Sequence, residues 1–380
     1  MIPTLARPSS EYKMIRSIDV RNFRCYRHLK IGGCARLNVI VGDNGSGKTA
    51  LLESIFLPLA TSSEVAVRLR QIRGFDGLLS GAAKRIESAL WGDFFYNNDM
   101  NERVSLILSG DGLDSRSLEI YRGAVETTLP FSPTTAGVMT GGVGVSVSIG
   151  SGEFDGATVS APVRFTWTDA NKQSRTVTPI VAAAGLTLPD TGEDLPDFFF
   201  FGANQNIGSG ENASRFSELS KSNKQHDFVK LFAKEYKFVT DLNVEVHAGL
   251  PVLFGTVERS KNKIPLPNLS GGVNRFIGCM LAIASRQGSV VLIDEIENGL
   301  YYSHFTALWR GMLKFLRDFK GQAFVTTHSK ECLNGLVKAA AKDVSDIALW
   351  RTEIVGGEYI VRQFTGAELR AGIDYGEEVR

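Results

Sequence analysis

The sequence predicts an α/β protein with a mixed, largely parallel core sheet, an antiparallel β-lobe and a β-rich insertion. A glycine-rich loop at residues 42–49 lies between a short β-branched strand and a segment with apolar residues at helical spacing. Two further apolar strands, at 290–293 and 321–328, end in polar residues and have a helical pattern between them. Because a helical crossover joins parallel neighbours, these two strands are predicted to lie side by side in one sheet.

The composition limits the class of protein. With 380 residues, of which 43% are hydrophobic and 22% charged, the chain can bury one large core or two modest ones. A net charge of +1 excludes a global basic field for nucleic-acid binding. The local cluster of Arg68, Arg70 and Arg73 is interpreted as an ordinary solvated face. The four cysteines lack metal-site spacing and are predicted to be reduced thiols. No apolar run approaches the ~18 residues of a membrane helix, so the sequence predicts a cytoplasmic protein without a membrane partner.

The loop at 42–49 has the pattern of a phosphate-binding loop. Its glycines allow backbone amides to converge on an anion, and the helix that follows adds a partial positive charge. Lys48 is predicted to reach the β- and γ-phosphates of ATP, and Thr49 to bind Mg²⁺ through its hydroxyl. The residues predicted to bind the nucleotide here are Gly42, Asp43, Asn44, Gly45, Ser46, Gly47, Lys48, Thr49 and Ala50.

Two carboxylates follow the strand at 290–293. Asp294 is predicted to help hold the Mg²⁺ ion, because a strand-terminal aspartate does so in phosphate-loop proteins. Glu295 is predicted to polarise the attacking water, which favours ATP hydrolysis over binding alone. The alternative interpretation is that both acids cap the strand in solvent.

A short motif, Ser270-Gly271-Gly272, precedes a strongly apolar helical repeat. Ser270 is predicted to be the N-cap of that helix, and the two glycines leave backbone amides open to an anion. The motif lies 24 residues before Asp294 (294 − 270) and has the form of the ABC-type signature, which completes the ATP site of a second protomer. A plain helix cap is the alternative interpretation.

His328 ends the strand at 321–328, 34 residues beyond Asp294 (328 − 294). Because neighbouring parallel strands end at one edge of a sheet, His328 is predicted to lie near Glu295, where it senses the γ-phosphate. Lys48, Glu295 and His328 are therefore the candidate catalytic residues. The alternative is a histidine on the surface or in the core whose hydrogen bonds are satisfied and which has no role at the ATP site.

The stretch IDVRNFR at 18–24, followed by the phosphate loop, resembles the opening of the SMC/RecF branch of ABC-type ATPases. The stretches LIDEIENGL at 292–300 and TTHS at 326–329 more closely resemble the OLD-like ATPases, which bacteria and phages use in nucleic-acid maintenance and anti-phage defence. The resemblance implies a head domain that forms a homodimer, or a higher homo-oligomer, around ATP. It also implies that Arg24 contacts a nucleotide phosphate or couples it to the signature.

Three features depart from that family pattern. The glutamine loop has two candidates, Gln71 and Gln205, and Tyr301 stands where relatives often carry a histidine. Only 52 residues follow His328 (380 − 328), which leaves no space for the Toprim nuclease domain of OLD nucleases. A separate effector or nuclease subunit is therefore the expected partner, and nucleic acid stays open as another.

The predicted organisation has two parts. Residues 1–60 and 195–380 form the nucleotide-binding core, and residues 61–194 supply a helical segment with the antiparallel β-lobe and insertion. Residues 134–156 fit either a β-ribbon or a loop. The remaining predicted elements are a hairpin of 104–108 with 117–121, another of 164–167 with 175–177, a helix at 329–341, a hairpin of 347–354 with 358–364, and a short C-terminal helix.

Two functions follow from these features. The first is a Mg²⁺-dependent ATPase whose ATP-driven dimerisation and hydrolysis control a partner effector. The second is an ATP-binding scaffold or sensor with little or no turnover. The ATPase subunit of a membrane transporter fits less well, because such subunits place the signature far nearer the phosphate loop.

Overall fold

The computed structural model describes residues 14–60, 64–73, 88–111, 113–123, 162–182, 185–187, 198–203, 205, 208–236, 238–258, 260–340 and 343–375. The chain divides into two compact units. The first comprises Met1–Arg16, Gly33–Leu52 and Asp197–Arg380, and the second comprises Ser17–Gly32 and Glu53–Pro196.

The strands are β1 Met14–Phe23, β2 Tyr26–Ile31, β3 Leu37–Gly42, β4 Val104–Asp111, β5 Leu113–Arg122, β6 Val163–Thr168, β7 Ser174–Val177, β8 Ile180–Ala182, β9 Gly185–Thr187, β10 Phe198–Phe201, β11 Val239–His247, β12 Leu250–Val257, β13 Ile264–Pro265, β14 Val290–Ile293, β15 Gln322–Thr326, β16 Ile347–Val355 and β17 Glu358–Thr365. The helices are α1 Lys48–Leu59, α2 Glu64–Ile72, α3 Ser209–Lys221, α4 Gln225–Glu235, α5 Leu266–Leu269, α6 Gly271–Ser285, α7 Phe305–Asp318, α8 Lys330–Ala340 and α9 Gly366–Asp374.

The first unit is built on a six-stranded sheet with the order β10-β14-β15-β3-β16-β17. The first five strands are parallel neighbours, and β17 runs antiparallel to β16. The sequence prediction that the strands at 290–293 and 321–328 are parallel neighbours is confirmed, with Ile293 opposite Val325 and α7 as the crossover. The prediction of a mixed, largely parallel sheet is confirmed as well. This order brings the ends of β14, β15 and β3 to one edge of the sheet.

Helix α6 forms the centre of the apolar core of the first unit. All its residues from Gly272 to Ala284 are buried, which explains why the sequence is almost entirely apolar after Asn274 and Arg275. Side chains such as Ile277 and Leu281 are completely buried, and each contributes ~1.5–3 kcal/mol relative to an exposed position. The start of α6 is thereby fixed relative to the sheet.

The C-terminal hairpin and both helices around it follow the sequence prediction. Strands β16 and β17 pair antiparallel about Gly356 and Gly357, whose φ angles of 60° and 86° are those that a two-residue type I′ turn needs. Helix α9 begins with a capping box, in which the Thr365 hydroxyl accepts from the Glu368 N–H and the Glu368 carboxylate accepts from the Thr365 N–H. The hairpin extends the central sheet, and β16 lies directly beside β3.

The second unit carries an antiparallel sheet with the order β2-β1-β4-β5-β6-β7. Both predicted hairpins of the β-lobe are confirmed: β4 pairs with β5, and β6 pairs with β7. Along β6, Val163, Phe165 and Trp167 are buried and alternate with half-buried residues, which is the period of a strand with one face on a core. Residues 134–156 lie outside the described part of the chain.

The interpretation of the arginine cluster as a solvated face was wrong for Arg70, which is buried, whereas Arg73 is exposed, as that interpretation expects. Arg73 forms a bidentate pair with Glu53, at 2.6 and 2.8 Å, and Arg70 Nη1 lies 2.8 Å from Asp93 Oδ1. Glu53 is completely buried, so a positive partner is needed to offset the desolvation of its charge. The side chain of Arg68 lies outside the described residues.

The four cysteines are free thiols, and three of them are buried. Burial raises the pKa of Cys25 and Cys279 to about 11, and that of Cys34 and Cys332 to about 12. Among the described helices, none is both long enough and apolar enough to span a membrane.

Candidate functional site

The phosphate-loop sequence connects the end of β3 to the start of α1. Gly42, Gly45 and Gly47 have φ angles of 138°, 79° and 98°, a region that residues with a Cβ rarely adopt. The loop is closed by the Ser46 N–H, which donates to the Asp43 carbonyl at 3.2 Å. The strand–loop–helix context required for a phosphate-binding loop is therefore present.

Thr352 on β16 braces this loop and was missed by the sequence analysis. Its hydroxyl lies 2.6 Å from the Ser46 hydroxyl and donates to the Val41 carbonyl at 3.0 Å. A Cβ on Gly42 would overlap the Thr352 carbonyl and hydroxyl oxygens and would lie 2.8 Å from Ser46 Oγ. Glycine at position 42 is thus required both by the backbone angle and by the close approach of β16.

Lys48 is the first residue of α1 and is 9% exposed. Its ammonium donates to the carbonyl oxygens of Gly42 at 2.7 Å and Asp43 at 2.8 Å. Burial lowers the pKa of Lys48, and the nearby carboxylates of Asp294 and Glu295 oppose that shift. The cation therefore lies within the loop and close to the carboxylates at the end of β14.

Thr49 and Asp294 meet across the edge of the sheet. The Thr49 hydroxyl donates to Asp294 Oδ2 at 2.9 Å, and Asp294 Oδ1 accepts from the Thr326 hydroxyl at 2.6 Å. A hydroxyl beside a carboxylate fits Mg²⁺, which prefers oxygen ligands and takes few of them from the protein when phosphates and water supply the rest. The part of the chain that the structure describes contains no cluster of three or more His, Cys, Asp or Glu residues of the kind that encloses a metal ion.

Glu295 leaves the strand in a left-handed backbone conformation, with a φ of 50°. Its N–H donates to the Thr326 hydroxyl at 2.8 Å, and its Oε2 accepts from Asn298 Nδ2 at 2.6 Å. A non-glycine residue in this region is uncommon, and such conformations cluster at functional sites. Thr326 and Asn298 together fix the direction of the glutamate.

His328 follows β15 at the same edge of the sheet. Its side chain is 50% exposed, and its Nδ1 lies 3.1 Å from Oε1 of Glu297. The same Oε1 accepts from the His328 backbone N–H at 2.9 Å. The histidine is therefore held by the turn that follows Asp294 and Glu295.

Ser270 is the N-cap of α6, as the sequence predicts. Its hydroxyl accepts from the Val273 N–H at 3.5 Å, and its backbone is extended, with a φ of −173°. Gly271 is exposed, whereas Gly272 is buried against the turn that follows β14. A Cβ on Gly272 would overlap the carbonyl oxygen of Gly299 and lie 2.6 Å from its carbonyl carbon, so the signature sequence and that turn are in direct backbone contact.

We expect Gly272→Ala to lower the stability of the protein by ~1–3 kcal/mol, because the added methyl group forces α6 away from Gly299. Gly271→Ala is the matched control, since a Cβ there meets no atom within 4 Å. The midpoint of urea unfolding should fall for Gly272→Ala and stay level or rise for Gly271→Ala. Equal midpoints for the two variants would contradict the contact.

Arg275 is a second functional-site residue that the sequence analysis missed. It is 8% exposed, and its guanidinium donates to the carbonyl oxygens of Gly202 at 2.7 Å and Asp294 at 2.6 Å. It therefore ties α6 to the ends of β10 and β14. The signal available in the sequence was a lone cation inside an otherwise apolar helix.

The two glutamine-loop candidates differ in what the structure describes. Gln205 follows β10, the neighbour of β14, and its Oε1 accepts from the Gly202 N–H at 3.1 Å. The side chain of Gln71 lies outside the described residues.

Arg24 is enclosed within the second unit. Its guanidinium pairs with Glu53 and, at 2.7 Å, with Asp93, and it lies 4.8 Å above the ring of Phe94. Arg24 has a φ of 53° and a side chain that is 7% exposed. These contacts give it a structural role among buried charges, and its contact with a nucleotide phosphate stays a prediction.

The comparisons with known proteins cover most of the chain. A protein-family model described as "AAA domain, putative AbiEii toxin, Type IV TA system" matches residues 37–334. A Helicobacter pylori protein named ATP/GTP phosphatase is 22% identical over 347 residues, which is 84% of this chain and 86% of that protein. The DNA replication and repair protein RecF of Lachnoclostridium phytofermentans is 36% identical over 59 residues, which is 16% of each. An Smc head domain bound to the C-terminal domain of ScpA, derived from Pyrococcus furiosus, has a TM-score of 0.47 at 11% identity, over 96% of this chain and 99% of that chain.

The family match spans the phosphate loop, the signature sequence, the carboxylates after β14 and His328. These are the segments whose geometry is described above. The match confirms that the chain belongs to an AAA-type phosphate-loop family, whereas the closer likeness to OLD-like ATPases stays a prediction. The chain therefore belongs to this AAA-domain family.

Proposed function

We propose that the protein is a Mg²⁺-dependent ATPase that dimerises around ATP and uses its catalytic cycle to control a partner effector. The observation that carries the proposal is the 2.9 Å contact between the Thr49 hydroxyl and the Asp294 carboxylate. This contact joins the phosphate loop to the end of β14, and phosphate-loop NTPases hold a Mg²⁺–nucleotide complex between two such groups.

In the proposed reaction, Mg²⁺ held by Thr49 and Asp294 would neutralise charge on the β- and γ-phosphate oxygens. The loop amides bind those phosphates, and Lys48 exchanges its bonds to the Gly42 and Asp43 carbonyls for phosphate oxygens. Glu295 accepts a proton from the attacking water. The water oxygen bonds to the γ-phosphorus while the bond from that phosphorus to the ADP oxygen breaks.

The proposed dimer places Ser270, Gly271 and Gly272 of one copy opposite the ATP of the other. The capped start of α6 and the exposed backbone of Gly271 support this role, because amides at a helix start favour an anion. Each site then takes its phosphate loop, Glu295 and His328 from one protomer and its signature from the partner. A symmetric dimer would contain two such sites.

The cycle is proposed to serve nucleic-acid maintenance or anti-phage defence, acting on a separate effector or nuclease subunit. The support is the resemblance of residues 292–300 to OLD-like ATPases, together with the segment shared with RecF, whose name describes DNA replication and repair. Nucleic acid is a second proposed partner. In this scheme ATP binding assembles the dimer, and hydrolysis releases it.

The test is to measure phosphate release and molecular mass on the same sample, with and without ATP and Mg²⁺. We expect Mg²⁺-dependent turnover and an ATP-dependent increase from monomer to dimer mass, since the composite site needs two copies. ATP-dependent dimer formation without ATP hydrolysis would contradict the proposal and support the ATP-binding scaffold instead. ATP hydrolysis by a chain whose molecular mass does not change when nucleotide is added would contradict the composite site.

A further inference from the structure

Glu297 is a buried acid that contacts His328 twice. Its Oε1 accepts from the His328 backbone N–H at 2.9 Å and lies 3.1 Å from His328 Nδ1. The Glu297 side chain is 8% exposed, whereas that of His328 is 50% exposed. The acid therefore holds the histidine from the protein interior and leaves part of the ring accessible.

The second oxygen of the same carboxylate, Oε2, is buried and has no hydrogen-bond partner among the described residues. Burying an acceptor without a partner costs free energy, and the cost is larger for a charged group. Leucine at position 297 would avoid this cost but would remove both contacts with His328. The buried acceptor oxygen Oε1, which makes those contacts, is therefore what this position provides beyond packing.

The residues that follow Glu297 contact other parts of the same site. Asn298 donates to Glu295, and Gly299 packs against Gly272 of the signature sequence. The turn from Glu297 to Gly299 thus contacts three parts of the proposed site within one chain. The proposed function assigns His328 and Glu295 to the γ-phosphate side and the signature sequence to the face toward the partner protomer.

We propose that Glu297 is the positioning residue of His328, a role that rests on the proposed function of the site. An ionised carboxylate only accepts hydrogen bonds, so the contact assigns a ring proton to Nδ1 of His328. Nε2 is then the ring nitrogen available to the nucleotide. Buried acids orient imidazole rings in this way at catalytic and metal sites.

The competing explanation is that Glu297 only fixes the backbone, through its bond to the His328 N–H. The two explanations differ in what they predict when the imidazole is absent. A positioning residue loses its effect once the ring has been removed, whereas a backbone brace acts with or without the ring.

The kinetic test is a double-mutant cycle on ATP hydrolysis with Glu297→Leu, His328→Ala and the double variant. We expect Glu297→Leu to lower kcat by ~10–100-fold with little change in KM, and to cost almost nothing further in the His328→Ala background. Glu297→Gln keeps an acceptor oxygen at the same place and should recover most of the loss, which controls for folding. Losses that multiply in the double variant would overturn the proposal.

A second measurement does not depend on hydrolysis. With ¹⁵N-labelled histidine, the ring nitrogens of the five histidines can be observed by NMR in the nucleotide-free protein, and His328→Ala assigns the relevant signals. We expect the His328 ring to carry its proton on Nδ1, and Glu297→Leu to change its nitrogen shifts. Unchanged shifts would overturn the role of Glu297 even in an active enzyme. If instead the unaltered chain does not turn over but the shifts change, the positioning contact holds and the proposed ATPase function fails.

Discussion

Glu295→Gln is expected to lower ATP hydrolysis by ~10²–10⁴-fold, the range for loss of a general base, while ATP is still bound. Binding persists because the phosphate loop and the Thr49–Asp294 pair are unchanged. The amide is nearly isosteric with the carboxylate, and its oxygen can still accept from Asn298. The variant should therefore accumulate as an ATP-bound dimer, which is measured as dimer mass and bound nucleotide after gel filtration.

The matched control for this experiment is Glu258→Gln, which makes the same chemical change at an exposed position just after β12. It should hydrolyse ATP at the rate of the unaltered chain and show the same nucleotide-dependent mass. If Glu295→Gln turns over as fast as this control, the general base lies elsewhere. Turnover lost together with ATP binding would instead indicate a disturbed site.

The parts of the site that the sequence could predict are those carried by local pattern. The phosphate loop has both its spacing and its glycines in one short segment, and Asp294 and Glu295 end an apolar strand. The crossover rule for parallel strands then brings His328 to the same edge of the sheet, and the pairing of β14 with β15 confirms that step. No tertiary information was needed for these inferences.

The residues that were missed act through contacts between distant segments. Thr352 reaches the phosphate loop because β16 pairs with β3, and no pattern within β16 indicates that neighbour. The interpretation of Arg70 as solvated was wrong because Arg70 is buried beside Asp93, a partner 23 residues away in the sequence. A sequence shows that a charge exists, but whether it is buried depends on which elements pack around it.

The signature motif illustrates an intermediate case. Its helix cap was predicted from Ser270 and the apolar repeat that follows, and the capping contact is present. The contact between Gly272 and Gly299 could not be predicted, because it depends on how α6 approaches the turn after β14. That contact gives a physical reason for a glycine at position 272, separate from any contact with ATP.

Mixing two inactive variants should restore ATP hydrolysis if each site is shared between two copies. Lys48→Ala removes the loop cation, and Ser270→Arg places a bulky charge at the signature, so each variant alone should lose at least ~10²-fold in turnover. In a mixed dimer, one site combines the intact phosphate loop of the Ser270→Arg chain with the intact signature of the Lys48→Ala chain. Random pairing makes half of the dimers mixed, with one intact site in two, so we expect about a quarter of the normal rate.

The control mixture combines Lys48→Ala with Glu295→Gln. In the proposed dimer both lesions fall in the same half of the site, because Lys48 and the end of β14 belong to one chain and lie close together. No pairing of these two variants produces an intact site, so this mixture should stay inactive. Recovery in the first mixture alone would assign Ser270 to the partner's ATP. If neither mixture recovers while the unaltered chain hydrolyses ATP, either each chain completes its own site or both sites must be intact together. Dimer formation by the first mixture with ATP separates these two outcomes.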